Sequence, residues 1–217
     1  MRADRGRDLM TVHADLLPYA RRHGDDAALG PSAAPVRWAA AGAVGVTTPE
    51  EHESARVLGS LRAEDGRGVV RLEDRVRAAP DDVWSALTSR DRLAVWLGEV
   101  DGDLREGGEL RARFVATGWE GVVRVRECRP GERLVVETST PDQPDGRFEI
   151  SLDVEGECTH LVVEDHGVPL DQVAAYAAGD QVHVEDLVSH LGGGERCDAR
   201  ARFEVLHPLY QRLGLLG

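Results

Sequence analysis

A two-residue alternation of apolar and polar side chains runs through the middle of the 217-residue chain and limits what it can fold into. From residue 68 onward, segments such as ELRARFVA and RFEISLDV place apolar residues at every second position and mostly charged residues between them. Short turn sequences, among them REGG, RPGE and PDQPDG, separate these segments. Strands of this kind bury one face, and short turns join neighbours that run in opposite directions. The pattern therefore predicts one antiparallel sheet with one covered face.

Helical patterns flank most of the predicted sheet. APDDVWSALTS has a proline and two aspartates close to its beginning, which is typical of a helix start, and RDRLAVWLG follows as a second short helix. Near the C-terminus, helical spacing of apolar residues extends from about Leu170 to Leu191, with Gly179 as a point where it could break, and again from about Asp198 to Leu213. These C-terminal helices are the only large elements available to cover the sheet, so the expected fold class is α+β, with a cavity between sheet and helix.

Composition excludes several classes of function. The formal net charge of −13 argues against a general binder of nucleic acid or of anionic membranes. No apolar run is long enough to span a membrane. Cys128, Cys158 and Cys197 lie far apart, without the CxxC spacing of zinc or redox motifs, and their odd number favours a reducing cytoplasm. The sequence contains no GxSxG, Walker or GxGxxG motif, so we predict no cofactor.

The first 56 residues differ from the rest of the chain. They are rich in alanine, glycine, arginine and proline and show no sustained periodicity, apart from a weak helical stripe around Asp8 to Arg22. We therefore expect residues 1–56 to be a poorly ordered N-terminal extension and residues 57–217 to form the folded domain.

The stretch QVHVEDLVSH, residues 181–190, contains two histidines and two acids. On a helix, His183 and His190 share a face about two turns apart, with Asp186 between them. Two imidazoles separated by ~10.5 Å do not reach one zinc ion, and metalloproteases space their histidines four apart, so we predict no metal site. Two interpretations stay open. Periodicity favours a polar flank facing water or the last helix; the alternative is a ligand contact in which Asp186 hydrogen-bonds His183 and raises its pKa.

Two further side chains are predicted to point toward the covered face. Trp119, in the motif GWEG, shares a face with Val123. It is therefore either an ordinary core residue or a residue that lines a cavity and stacks on a ligand ring. Asp74 is in register with Leu72 and Val76. An inward carboxylate is costly unless it is paired, so we expect an arginine partner, a place at a cavity mouth, or solvation at the strand end.

Three long stretches resemble a known superfamily: DDVWSALTSRDRLAVWLGEVDGDLREGGELRARF, GWEGVVRVRECRPGERLVVET and GVPLDQVAAYAAGDQVHVEDLVSHL. They are similar to SRPBCC (START-like, Bet v 1-like) domains. Within that superfamily, residues 57–213 resemble the group homologous to the activator of heat-shock protein 90 ATPase. The resemblance implies a helix-grip fold, in which a curved antiparallel sheet wraps round a long C-terminal helix and encloses a cavity. Members bind lipids, hormones or polyketides, act as cyclases, or assist a chaperone, so the resemblance leaves the function open.

Three hypotheses of function follow. The leading one is a binding module for a small apolar or aromatic ligand. Its polar anchor would be His183 or Asp186, and its cavity walls would be Phe114, Trp119, Val123, Phe148, Ile150 and Leu187. The second is a chaperone-linked interaction protein, in which the arginines of the outer sheet face would matter (Arg111, Arg113, Arg124 and Arg126). The third is an enzyme of the cyclase, dehydratase or hydrolase type, with His183 or Asp74 as its acid or base. The sequence leaves the ligand and the oligomeric state open.

Overall fold

The predicted sheet is present in the computed structural model, which describes residues 56–140 and 143–215. The elements of this part of the chain are, in order, β1 (Gly59–Glu64), β2 (Arg67–Val76), α1 (Pro80–Thr88), α2 (Arg90–Trp96), β3 (Gly98–Gly102), β4 (Glu109–Phe114), β5 (Glu120–Arg129), β6 (Arg133–Thr140), β7 (Gln143–Glu155), β8 (Cys158–Val168), α3 (Val173–Leu191) and α4 (Ala199–Leu213). The strands form one antiparallel sheet in the order β1-β2-β8-β7-β6-β5-β4-β3. The predicted α+β helix-grip fold is confirmed. The extension before residue 56, including the helix expected from Asp8 to Arg22, lies outside the described residues.

The two edge strands, β1 and β3, were not predicted. A turn at Asp65 and Gly66, both with positive φ, joins β1 to β2 and is typical of tight hairpins. In β1 only Leu61 is fully buried. The short β3 begins at Gly98, where an added Cβ would lie 2.1 Å from the carbonyl oxygen of Arg113 on β4. Short edge strands with few buried side chains give almost no alternation in the sequence.

The register of the strands assigns one set of side chains to the inner face of the sheet. Facing pairs on this side include Leu72 with Val163 and Leu110 with Val123. Helix α3 covers this face with buried side chains such as Leu187. The helix is continuous, so the break considered at Gly179 is absent. A Cβ on Gly179 would lie 3.2 Å from Thr117 Cγ2, so glycine at this position lets the β4–β5 hairpin approach the helix closely.

Helix α4 packs against α3. Its first turn is capped by the side chain of Asp198, which accepts a hydrogen bond from the backbone N–H of Ala201 at 3.1 Å. Leu206 and Tyr210 are its fully buried residues. Helix α3 is therefore enclosed between the sheet and α4. Among the described residues, no helix is long and apolar enough to cross a membrane.

Candidate functional site

Aromatic rings gather where the β4–β5 hairpin meets α3. The ring centroids of Phe114 and Trp119 are 4.8 Å apart, and the imidazole of His183 lies edge-on to Phe114 at 5.5 Å. The hydroxyl oxygen of Thr117, in the hairpin, is 3.3 Å from His183 Nε2. At Gly121, an added Cβ would lie 2.7 Å from Trp119 Cζ2, so the absence of a side chain lets the indole lie against the strand. The fold thus brings together three of the residues that the sequence proposed as ligand contacts: Phe114, Trp119 and His183.

The environment of His183 differs from the one hypothesised. Burial lowers the pKa of its imidazole to about 4, so the ring is neutral at neutral pH. Its Nδ1 atom is buried and has no hydrogen-bond partner among the described residues. Asp186 does not supply one, because its carboxylate accepts a hydrogen bond from the backbone N–H of Cys197 at 2.8 Å. The hypothesis that Asp186 bonds His183 and raises its pKa is therefore wrong.

The polar flank of α3, predicted to face either water or the last helix, is largely covered by protein. Gln181 is 0% exposed and Asp186 is 2% exposed. His190 is half-buried and accepts a hydrogen bond from Arg92 Nε at 3.2 Å, on the side of α2. A helix enclosed between a sheet and a second helix has no fully solvated face, so its polar residues must find partners inside the protein.

Two carboxyl groups on the inner side were not predicted. Asp165, on β8, is 3% exposed and stands opposite Phe148 of β7. Asp180 lies on α3, one turn before His183 and one turn after Tyr176. In each carboxyl the Oδ2 atom is buried and has no hydrogen-bond partner in the described part of the chain.

Burial shifts the pKa of both carboxyls upward. The pKa of Asp180 rises to about 8 because burial disfavours the charged form. The pKa of Asp165 rises well above its usual range, first through burial and then through the negative charge of Asp180. Burial, together with the charges of Asp165 and Asp180, also raises the pKa of the Tyr176 phenol. At neutral pH Asp180 therefore holds a proton that an ordinary aspartate releases.

No cation among the described residues compensates the pair. The strand register places every arginine of the described strands on the outer face of the sheet. Helix α3 contains no arginine, and the whole chain contains no lysine. The inner polar site, defined here as Asp165, Asp180, His183, Tyr176 and Thr117, thus combines two acids with neutral groups.

The other predicted site residues lie on the same side, with one exception. Val123, Phe148 and Ile150 occupy inner-face positions by register, and Leu187 lies in the core between α3 and the sheet. Asp186 instead anchors the connection between α3 and α4. A depression of about 300 Å³ lies elsewhere, where Glu137, Arg147 and His166 line it. The internal cavity and the binding roles of these residues stay predictions.

Asp74 has the inward register expected for it. Its carboxylate oxygen Oδ1 accepts a hydrogen bond from the backbone N–H of Arg75 at 2.8 Å and lies 3.5 Å from Arg56 Nη1. Its side chain is 17% exposed. The partner of this carboxylate is therefore an arginine at the edge of the sheet, which is one of the three alternatives expected for Asp74.

A group of potential metal ligands occupies the outer face. Ligand atoms of Glu149, Glu164 and His166 lie within 4.8 Å of one another. Both glutamates are already ion-paired, Glu149 with Arg147 at 2.7 Å and Glu164 with Arg62 at 2.9 Å. Their charge is thus compensated by arginine, unlike that of Asp165 and Asp180.

The chain matches one known protein family over its central part. The family described as "Activator of Hsp90 ATPase homolog 1-like protein" matches residues 77–192, just over half of the chain. The chain belongs to this family. The match extends from just before α1 to the end of α3, so it includes the hairpin, the aromatic pair and both buried carboxyls. The resemblance to SRPBCC domains is confirmed.

Solved structures share the fold. CalU16 from Micromonospora echinospora is 24% identical, with a TM-score of 0.60 over 71% of this chain and 94% of its own. EF2215 from Enterococcus faecalis is 20% identical, with a TM-score of 0.58 over 71% of this chain and 88% of its own. DynU16, a protein in the dynemicin biosynthetic locus, is 30% identical, with a TM-score of 0.56 over 62% of this chain; the match spans about half (51%) of DynU16. No protein of curated function matches the chain.

Proposed function

We propose that this protein binds a small apolar or aromatic ligand between the inner face of the sheet and α3. The proposal depends on three buried polar atoms that have no hydrogen-bond partner in the described part of the chain: Oδ2 of Asp165, Oδ2 of Asp180 and Nδ1 of His183. They lie on the same side as the Phe114–Trp119 pair. Buried polar atoms in folded proteins almost always have a partner, from the protein or from bound molecules. Apolar walls with a few convergent polar groups are the usual composition of a small-molecule site.

Family membership supports the same proposal. The SRPBCC resemblance implies ligands such as lipids, hormones or polyketides held between sheet and helix. DynU16 belongs to a biosynthetic locus, which supports a role for this chain with small molecules too. Fold alone does not decide function, so the proposal depends on the buried polar atoms and the aromatic pair.

Fluorescence titration of the full chain with N-phenyl-1-naphthylamine tests the proposal, because this neutral dye brightens in apolar surroundings. We expect saturable one-to-one binding. Trp119→Ala should weaken it about tenfold, since the ligand loses contact with the face of an indole. Val115→Ala is the matched control, because that side chain is 57% exposed and lies near the same hairpin; its affinity should equal that of the wild type.

The titration has two outcomes that contradict the proposal. One is the absence of saturable binding to the wild-type chain. The other is binding of the same strength in the wild type and in Trp119→Ala, which would place the dye on another surface. Near-ultraviolet circular dichroism of each variant establishes that its core is intact before the affinities are compared.

A chaperone-linked role is the second candidate, and the family description favours it. The outer-face arginines considered for it are largely balanced by glutamates, with Arg124 3.1 Å from Glu109 and Arg126 2.5 Å from Glu137. Exposed pairs of this kind contribute little free energy, so a partner could displace them. The test is the ATPase rate of a purified heat-shock protein 90. A rate raised in proportion to added chain supports this role, and an unchanged rate removes it.

A further inference from the structure

The inner polar site holds two acids close enough to affect each other. Asp165, on β8, is 3% exposed, and its Oδ2 atom and that of Asp180, on α3, are buried without a hydrogen-bond partner among the described residues. The charge of Asp180 also acts on Asp165. The charge of Asp180 also raises the pKa of two phenols, that of Tyr176 on α3 and that of Tyr210 on α4. His183 follows one turn later on the same side of α3. None of these groups is cationic at neutral pH, and no arginine of the described strands turns inward.

Two carboxyls in one poorly solvated site do not both ionise unless a cation joins them. Proteins usually supply that cation as an arginine or a metal ion. The arginines of β2, β7 and β6 that could have done so, Arg71, Arg147 and Arg133, are instead ion-paired with glutamates on the outer face. In the described part of the chain, no positive charge acts on either carboxyl, so the compensating charge is a proton or arrives with a bound molecule.

We propose that the ligand carries a basic nitrogen, which the Asp165–Asp180 pair binds as an ammonium ion. This inference rests on the proposed ligand site and names the chemistry of its polar end. The aromatic rings of Tyr176, Phe114 and Trp119 on the same side suit a cation, since the faces of aromatic rings attract positive charge. An anionic ligand finds no basic group among these residues and is rejected.

Protons and the ammonium ion compete for the pair. Binding of the ammonium ion favours the charged form of the carboxyls, so protons leave as the ligand enters. At low pH the carboxyls are neutral and attract the ammonium ion weakly. Affinity for an amine should therefore rise with pH, while affinity for a neutral ligand of the same shape should not change.

Two matched probes separate these alternatives: 1-naphthylmethylamine and 1-naphthalenemethanol differ only in the amine or hydroxyl group. Their dissociation constants are measured on the full chain by displacement of N-phenyl-1-naphthylamine. At about pH 8 the amine should bind at least about tenfold more tightly than the alcohol, a difference in binding free energy that one buried charge pair easily supplies. The preference should shrink at about pH 6, where protons occupy the pair.

Asp180→Asn should abolish the preference for the amine and keep the affinity for the alcohol. Asp171→Asn is the control, because it removes the same charge at an exposed position just before α3. If Asp180→Asn does not fold, Asp165→Asn takes its place. Equal or tighter binding of the alcohol by the wild type at about pH 8 overturns the inference, as does a preference that survives both substitutions. Either result leaves the proposed function standing, whereas failure of the dye itself to bind overturns both.

Discussion

Replacing Gln181 by leucine should lower the free energy of unfolding by about 4 kcal/mol. This side chain is fully buried on α3. Its Oε1 atom accepts hydrogen bonds from the backbone N–H of Leu58 at 3.1 Å and from the hydroxyl of Tyr210 at 2.5 Å. Its amide nitrogen donates to the carbonyl oxygen of Arg56 at 2.6 Å and to Glu185 Oε1 at 2.8 Å. Gln181 thus joins the chain just before β1 to both C-terminal helices.

Leucine has a similar volume but leaves these groups without partners. Each buried donor or acceptor that loses its partner costs about 1–3 kcal/mol, and some of them regain water at the surface, so about 4 kcal/mol is the expected sum.

Tyr210→Phe removes one hydroxyl and should cost about 1 kcal/mol. Gln211→Leu makes the same exchange at an exposed position of α4 and should change the free energy by less than about 0.5 kcal/mol. Urea unfolding followed by circular dichroism measures all three. A loss below about 1 kcal/mol for Gln181→Leu would show that this junction is not a structural anchor.

Stability should fall as the pH rises from about 6.5 to about 8, by about 2 kcal/mol. Burial raises the pKa of Asp180 to about 8 in the folded state, against about 4 in the unfolded chain. Between these values the folded protein holds a proton that the unfolded chain releases, so rising pH favours unfolding. One group of this kind contributes about 1.4 kcal/mol per pH unit.

The window begins near pH 6.5 because His183 acts in the opposite direction below it. Its folded pKa of about 4 is lower than the unfolded value, so its contribution to stability is lost as the pH falls from about 6.5 to about 4. As the pH rises above about 6.5, the imidazole becomes neutral in the unfolded chain as well, so the slope there follows mainly from the raised pKa of Asp180.

Urea unfolding at three pH values across the window, for the wild type and two variants, measures this effect. Asp180→Asn should remove most of the downward slope, because an amide does not titrate. Asp171→Asn should keep it. Parallel slopes in the wild type and in Asp180→Asn would mean that Asp180 is an ordinary ionised aspartate, and that the pair is not protonated in the folded protein.

Strand alternation made most of the sheet predictable from the sequence. Strands β2 and β4 to β8 bury one face and expose the other, so their register can be derived from the sequence. The edge strands were missed because Leu61 alone is fully buried in β1 and because β3 is a short segment between two glycines. Gly179 does not break α3; an added Cβ there would lie 3.2 Å from Thr117 of a distant hairpin, and no local sequence pattern indicates that contact.

The candidate site was predictable only in part, for the same physical reasons. The alternation of apolar residues predicted that Phe114, Trp119 and Val123 lie on the inner face of the sheet, and the structure places them there. The same rule would have found Asp165, which continues the alternation of Leu161 and Val163, as it found Asp74. Asp180 shows a related signal, an acid four residues after Tyr176 and seven before Leu187 on one helix face.

The partners of polar side chains were the least predictable part. Asp186 was assigned to His183 because the two lie three residues apart, but helix packing directs its carboxylate to Cys197 at the end of the connection to α4. The neighbour of His183 is Thr117, in a hairpin far away in sequence. Contacts of this kind depend on how the helix docks on the sheet, which the local sequence does not encode.

Native mass spectrometry of the full chain, purified gently from the organism that encodes it, tests the central claim most directly. If the inner side of the sheet holds a small molecule, the spectrum shows a discrete added mass that disappears on denaturation. The same preparation of Trp119→Ala should show a smaller occupied fraction. A clean mass of the unliganded chain from cells grown under several conditions would contradict the claim.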